Sequence, residues 1–199
     1  DTLLLDLGEQ HFLNGRGLLA SGVIRNGAIA VGDTIQGVFG VYNQQTTIIT
    51  QIFINNISVP SAKKDDYVSI LMRGITSSFY PGITMTNSDF PDTNINLTRR
   101  IEFVGYVFTA EAGGISDPLF FYNGEEAAER PAQIIIGDLQ VDGSVERVND
   151  KSVMPGDPIV AYAKFYFPRN FIFPRQRITI IIDNKLNVIG EVTNPNPLP

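Results

Sequence analysis

Short runs of β-forming residues, separated by Gly, Asn, Asp and Pro, constrain the fold of this chain more than any other feature of its sequence. No long stretch has the 3.6-residue period of an amphipathic helix. Turn residues recur at the spacing that is typical of all-β barrels and sandwiches. The sequence therefore predicts an all-β fold, with strands at residues 17–24, 34–41, 47–54, 67–72, 100–109, 133–140, 159–167 and 177–182.

Local patterns refine this prediction. Ile101, Phe103 and Val107 alternate with their neighbours, so they should share one face of a strand. The continuous apolar run at 178–182 is typical of a strand that is covered on both faces. The Asn26-Gly27 pair predicts a two-residue hairpin turn, and residues 110–112 are too few for more than a turn or a 3₁₀ segment.

Glycines near the start of the chain carry a further expectation. Gly15, Gly17 and Gly22 bracket one predicted strand. Glycine lacks a Cβ, so it permits a bulge or a close backbone approach at the corner of a barrel. We therefore expect a bulge or a close backbone approach where these glycines lie.

A polar segment at 87–97, which contains Pro91, separates two β-rich halves of similar length. We expect one domain at 1–90 and a second at 98–192. The Asn- and Pro-rich residues 193–199 should form an extended tail. The chain begins with Asp1, which suggests that a leader was removed or that the sequence is part of a longer protein.

Composition excludes several classes of site. The 199 residues include no cysteine and a single histidine, His11, so thiolate metal sites, disulfides, cysteine nucleophiles and histidine clusters are not expected. We expect no metal and no cofactor. The formal net charge of −6 disfavours nucleic acid as a partner, and no apolar run approaches the roughly 20 residues of a membrane-spanning helix.

The densest motif lies at residues 15–33, which satisfy the pattern G-R-G-x-x-x-[ST]-G-x-[VI]-x-x-G-x-[IV]-x-[VI]-G-[DE]. Residues 71–75, Leu-Met-Arg-Gly-Ile, and Pro81-Gly82 follow it. This half resembles the second domain of elongation factor Tu and its relatives among the translational GTPases. The other half resembles the third domain through short motifs at 101–103, 111–114, 118–120, 130–131, 154–157 and 188–190.

The resemblance implies two tandem antiparallel β-barrels of the translation-factor type. It also implies what is missing, because GTP hydrolysis in that family needs a phosphate-binding G-x-x-x-x-G-K-[ST] loop. The sequence contains no such loop, and Asn184-Lys185 lacks the Asp of the guanine-reading N-K-x-D motif. We therefore expect that the chain is not an enzyme.

The resemblance further implies a remnant of the pocket for the aminoacyl end of a tRNA. Glu9, His11 and Arg73 occupy the matching positions. The aromatic residue of the family's motif is replaced by His11, and the arginines that read the tRNA stem are absent. Nucleic acid is accordingly not expected as a partner, with tRNA as the one exception.

A mixture of Arg and aromatic residues near the end of the chain predicts a protein interface, since such residues are enriched where proteins meet. The candidates are Phe167, Arg169, Phe171, Phe173 and Arg175.

Together these inferences favour a non-catalytic structural or accessory subunit within a large mitochondrial assembly, such as a respiratory complex or a mitoribosome. Its partners would be other protein subunits. One alternative is an elongation factor, or a fragment of one, that binds aminoacyl-tRNA without a GTPase domain, in the cytoplasm or in mitochondria. Another is a guanine-nucleotide enzyme whose first domain lies outside this sequence.

Overall fold

A computed structural model describes residues 2–39, 44–87, 97–123, 126–147, 152–166, 170–195 and 197. The chain forms two compact units, Asp1–Asn94 and Ile95–Pro199. Both are built from β-strands, and the only helix in the described ranges is a single 3₁₀ turn, Ala110–Ala112. The predicted all-β fold of tandem β-barrels is confirmed: the first unit is a curled half-barrel and the second is a closed barrel.

The described residues of the first unit form nine strands. They are β1 (Leu4–Leu13), β2 (Gly17–Asn26), β3 (Ala28–Ala30), β4 (Thr34–Phe39), β5 (Gln44–Ile54), β6 (Ile57–Val59), β7 (Ser61–Lys63), β8 (Tyr67–Arg73) and β9 (Ile83–Met85).

The main sheet of this unit has the strand order β4-β5-β8-β2-β1-β9, and β6 pairs with β5. It curls until Cα atoms of its edge strands, β4 and β9, lie within 8 Å of each other. The concave face holds the core, because alternate residues of β1, β2 and β8 are buried there. Strand β1 changes register between Leu7 and Gln10, so Gly8 and Glu9 form a β-bulge.

Two of the three early glycines allow the close backbone contacts that were expected. A Cβ on Gly17 would lie 2.1 Å from the carbonyl oxygen of Met72, and one on Gly22 would lie 1.9 Å from that of Asp6. Gly15 has open space and a φ of +70°, so it serves the turn between β1 and β2 instead.

The prediction of a hairpin turn at Asn26-Gly27 is wrong, because the strands before and after this pair do not pair with each other. Strand β3, which follows Gly27, pairs with β7 in a separate small sheet and not with β2. The side chain of Asn26 donates a hydrogen bond to the carbonyl oxygen of Thr2, 2.8 Å away. This contact ties the segment to the start of β1, so the chain leaves the main sheet here.

In the part of the second unit that the structure describes there are twelve strands. They are β10 (Leu97–Thr98), β11 (Arg100–Val107), β12 (Leu119–Phe120), β13 (Tyr122–Asn123), β14 (Glu126–Ala127), β15 (Arg130–Ile136), β16 (Leu139–Glu146), β17 (Ser152–Val153), β18 (Pro158–Phe165), β19 (Asn170–Phe171), β20 (Arg177–Ile182) and β21 (Lys185–Asn194).

Six of these strands close into a barrel in the order β11-β18-β16-β15-β20-β21. Ile101, Phe103 and Val107 point inward from β11 and are buried, as their alternation predicted. The strand predicted at 133–140 is wrong, because the structure divides this segment into β15 and β16. Gly137, with a φ of +58°, turns the chain between them.

A two-residue turn joins β20 to β21. Asp183 and Asn184 both have positive φ, +53° and +59°, as a type I′ turn requires. Strand β21 continues to Asn194, so Thr193 and Asn194 of the predicted tail belong to the barrel wall. Ile178 and Ile180 of β20 are fully buried, whereas Ile181 on the other face is only half-buried.

Candidate protein-interaction site

Three adjacent strands of the second unit, β18, β11 and β21, present apolar side chains on the outer face of the barrel. Val104 of β11 lies opposite Val160 on one side, and Tyr106 lies opposite Pro158 on that side and Ile189 on the other. We call the surface formed by Val104, Tyr106, Pro158, Val160, Ile189 and Glu191 the outer groove. Its cavity measures about 430 Å³.

The outer groove is open to solvent. Tyr106 is 64% exposed and Val160 is 57% exposed, whereas the residues that alternate with them, such as Ile159 and Val107, are buried in the barrel. Strands of a sheet with one solvent face normally carry polar residues on that face. Strands β11 and β18 instead carry apolar residues on both faces at this level of the barrel.

Two glycines shape the wall beneath the groove. Gly105 of β11 pairs with Gly190 of β21. A Cβ on Gly105 would lie 2.6 Å from the carbonyl oxygen of Ile189, and one on Gly190 would lie 2.0 Å from that of Val104. The two strands therefore approach more closely than any side-chain-bearing pair would allow.

A network of charged residues lies further along the same barrel wall. Arg100 donates two hydrogen bonds to Glu146, from Nε at 3.1 Å and from Nη2 at 2.9 Å. Its guanidinium also stacks over the ring of Tyr162, 4.0 Å from the centroid. Lys164 forms ion pairs with both Glu146, at 3.0 Å, and Glu129.

These contacts shift two pKa values. The hydrogen bond from Lys164, followed by one from Ser144, lowers the pKa of Glu129. The same bond to Glu129 is the largest of the effects that raise the pKa of Lys164. Carboxylates already engage Arg100 and Lys164, so a phosphate at either cation would compete with an existing ion pair.

The three residues predicted for the aminoacyl pocket lie on the outer surface of the first unit. Glu9 sits in the bulge of β1, His11 lies two residues beyond it, and Arg73 ends β8. Strand β2 separates His11 from Arg73. All three side chains are exposed, so they do not form an enclosed pocket within this unit.

Gln10, between Glu9 and His11, has a structural role that the sequence did not predict. Its side-chain amide donates a hydrogen bond to the carbonyl oxygen of Phe79 and accepts one from the Phe79 backbone N–H at 3.1 Å. The bulge turns Gln10 toward the core side of β1, where it holds the buried Phe79 in place.

The predicted interface near the end of the chain is described only in part. Phe167 and Arg169 lie outside the described residues, and of Phe171 only the backbone pairing with Leu97 is described. Phe173 is half-buried. Arg175 is exposed and adopts a φ of +67°, which places it in a turn. This interface stays a prediction.

The outer groove was not among the predicted sites, although the sequence contained a signal for it. The alternation in 100–109 places Val104, Tyr106 and Phe108 on the face opposite the core, where polar residues would be expected. Only pairing with β18 and β21 shows that these positions meet Val160 and Ile189.

Other kinds of site find little support among the residues that the structure describes. No group of three or more His, Asp or Glu side chains lies close enough to hold a metal ion. None of the helical segments there is long and apolar enough to cross a membrane. No known protein-family model matches the chain.

Proposed function

We propose that this chain is a non-catalytic structural subunit that binds other proteins of a larger assembly through the outer groove of its second barrel. The observation that carries the proposal is the exposure of Tyr106 and Val160 beside Val104 and Ile189 on three hydrogen-bonded strands.

An apolar surface of this kind is costly to an isolated molecule in water. Contiguous apolar patches on monomeric proteins often mark sites of association, because burying them against a partner releases water from both surfaces. Tyrosine is also enriched at interfaces, since its ring packs while its hydroxyl remains able to bond. The rigid barrel wall holds these side chains ready, which limits the conformational entropy lost on binding.

The chemistry of the groove favours binding over catalysis. Its side chains are aliphatic apart from one phenol, Tyr106, and one carboxylate, Glu191. Nucleophilic catalysis requires a nucleophile within hydrogen-bond reach of a base, and general acid–base catalysis requires groups positioned on both sides of a substrate. The groove supplies an apolar floor with a single charge instead.

The mitochondrial location is a further element of the proposal. It rests on the resemblance of residues 15–33 to the bacterial and organellar type of elongation factor Tu barrel. In this account the two barrels serve as protein-binding modules.

Sedimentation of the native protein tests the proposal. We expect wild-type protein in a mitochondrial extract to move with a large assembly in a sucrose gradient. The Val160→Asp variant, which places a charge in the groove without disturbing the barrel interior, should move toward the position of the free chain. The proposal fails if the wild-type protein sediments only as a free monomer.

A further inference from the structure

Two Asn-Gly pairs of the first unit differ in how firmly the surrounding structure holds them. An asparagine that precedes a glycine readily loses its side-chain amide, because glycine has no Cβ to hinder attack by its own backbone nitrogen. The pairs are Asn14-Gly15, between β1 and β2, and Asn26-Gly27, at the end of β2. A third pair, Asn123-Gly124, lies partly outside the described residues.

The Asn14-Gly15 pair is exposed in the turn between β1 and β2. The backbone N–H of Arg16 donates a hydrogen bond of 2.9 Å to the carbonyl oxygen of Leu13, which closes the turn around the pair. A Cβ on Gly15 would meet no heavy atom within 4 Å beyond its chain neighbours. Among the residues that the structure describes, no hydrogen bond engages the Asn14 side chain or the backbone N–H of Gly15. Both reacting groups are therefore free to move toward each other.

The Asn26-Gly27 pair is held in place. The half-buried side chain of Asn26 donates its amide hydrogen to the carbonyl oxygen of Thr2, 2.8 Å away. The backbone of the same segment packs against Gly27, since a Cβ there would lie 3.0 Å from the Thr2 oxygen and 3.1 Å from the Cα of Leu3. The amide must break its hydrogen bond, and the pair must move against this backbone, before the two groups can react.

We propose that Asn14 is a site of spontaneous modification, where the amide becomes a mixture of aspartate and isoaspartate while Asn26 is preserved. Base removes the proton from the Gly15 backbone nitrogen, this nitrogen bonds to Cγ of Asn14, and the side-chain nitrogen leaves as ammonia. Water then opens the resulting succinimide ring at either carbonyl. The net reaction consumes water and releases ammonia, so it needs no oxidant or reductant.

Both products alter the turn between β1 and β2. Each carries a carboxylate where Asn14 is neutral. In isoaspartate the backbone also runs through the former side chain, which lengthens the turn by a methylene group. Because the hydrogen bond from Arg16 to Leu13 spans this segment, isoaspartate should disrupt it.

Peptide mapping of the full-length chain tests the proposal. The folded protein is incubated in warm, mildly alkaline buffer and then digested with pepsin in acid, where the reaction is slow, and mass spectrometry follows conversion at each position. We expect position 14 to convert roughly tenfold faster than position 26, because Asn26 must first give up its hydrogen bond through local opening. In guanidinium chloride, which unfolds the chain, the two positions should convert at similar rates.

Asn14→Gln is the matched control variant, since glutamine keeps an exposed amide but has to close a larger ring, which forms far more slowly. It should abolish conversion at position 14 and leave the rate at Asn26 unchanged. The proposal is overturned if the folded chain converts Asn26 as fast as Asn14, or if Asn14 converts only after unfolding. It is also overturned if the peptide that contains position 14 still gains the same mass in Asn14→Gln.

Discussion

Gly105 and Gly190 face each other across the ladder between β11 and β21, and neither position has room for a Cβ. The space that a side chain would occupy is taken by backbone atoms of the opposite strand. Both glycines line the outer groove, so the close approach of the two strands helps to form its floor. The shape of the proposed interface thus depends on two residues that have no side chains.

Replacing Gly190 by alanine should destabilise the second unit by about 2 kcal/mol, because the new Cβ would lie 2.0 Å from a backbone oxygen that cannot move freely. Gly8→Ala is the control: the nearest atom there is 3.8 Å away, an ordinary contact. Urea unfolding followed by circular dichroism measures both. Equal stability of the Gly190→Ala and wild-type proteins would contradict the described packing.

Gln10→Ala should destabilise the first unit by about 1–3 kcal/mol. The substitution leaves the backbone N–H and carbonyl of Phe79 without their hydrogen-bond partner at a partly buried position. Glu9→Ala, at the exposed neighbouring residue, should change stability by less than about 0.5 kcal/mol. If thermal melts show the two variants to be alike, Gln10 does not hold Phe79 as described.

The stability of the second unit should fall in acid partly through Glu129. The pKa of Glu129 is lowered in the folded protein, mainly by the hydrogen bond from Lys164. Its contribution to the free energy of unfolding is therefore fully present above the ordinary pKa near 4.5. That contribution is lost as the pH falls through the pKa of the folded state. Both side chains are partly exposed, so the contribution is below about 1 kcal/mol. In urea unfolding, Glu129→Gln should therefore cost stability at pH 7, and this cost should shrink as the pH falls below 4.5 and through the folded value.

The contribution of Lys164 to stability changes with pH in the opposite direction. Its pKa is raised in the folded protein, chiefly by the hydrogen bond to Glu129, so its contribution is present below about pH 10.5 and is lost as the pH rises through the folded value. Lys164→Met should remove this alkaline loss. A Lys164→Met protein with the same alkaline unfolding curve as wild type would show that the ion pairs contribute nothing to folding.

Charged tRNA should bind no better than uncharged tRNA. Glu9, His11 and Arg73 are exposed on an open surface of the first unit, and Arg100 and Lys164 are already paired with carboxylates. Filter binding at several salt concentrations measures this. A preference for aminoacyl-tRNA that weakens with salt and is lost in Arg73→Ala would favour the elongation-factor alternative.

The all-β fold could be predicted because alternation and turn residues are local signals. Ile101, Phe103 and Val107 alternate and are buried together. The division between β15 and β16 was missed although Gly137 and Asp138 are turn-forming residues, because β-forming residues stand on both sides of this pair. The hairpin prediction at Asn26-Gly27 was wrong for a related reason. The pair favours a local turn, whereas the pairing of β3 with the distant β7 decides where the chain goes next.

The outer groove could not be predicted in the same way. Tyr106, Val160 and Ile189 are far apart in sequence, and only the strand order β18-β11-β21 brings them together. The sequence showed that β11 carries apolar residues at its outer positions. Which residues lie beside them depends on the register of β18 and β21 against β11. The role of Gln10 was missed because a β-bulge precedes it. A bulge moves every later residue of the strand to the opposite face, and the alternation of residue types does not show where a bulge occurs.

Native mass spectrometry of the affinity-purified protein tests the central claim most directly, because it reports the mass of the intact particle and of each companion. The account predicts that wild-type protein is released as part of a complex with other polypeptides and that Val160→Asp is released alone. A wild-type particle with the mass of this chain only, or a complex that Val160→Asp leaves unchanged, would contradict it.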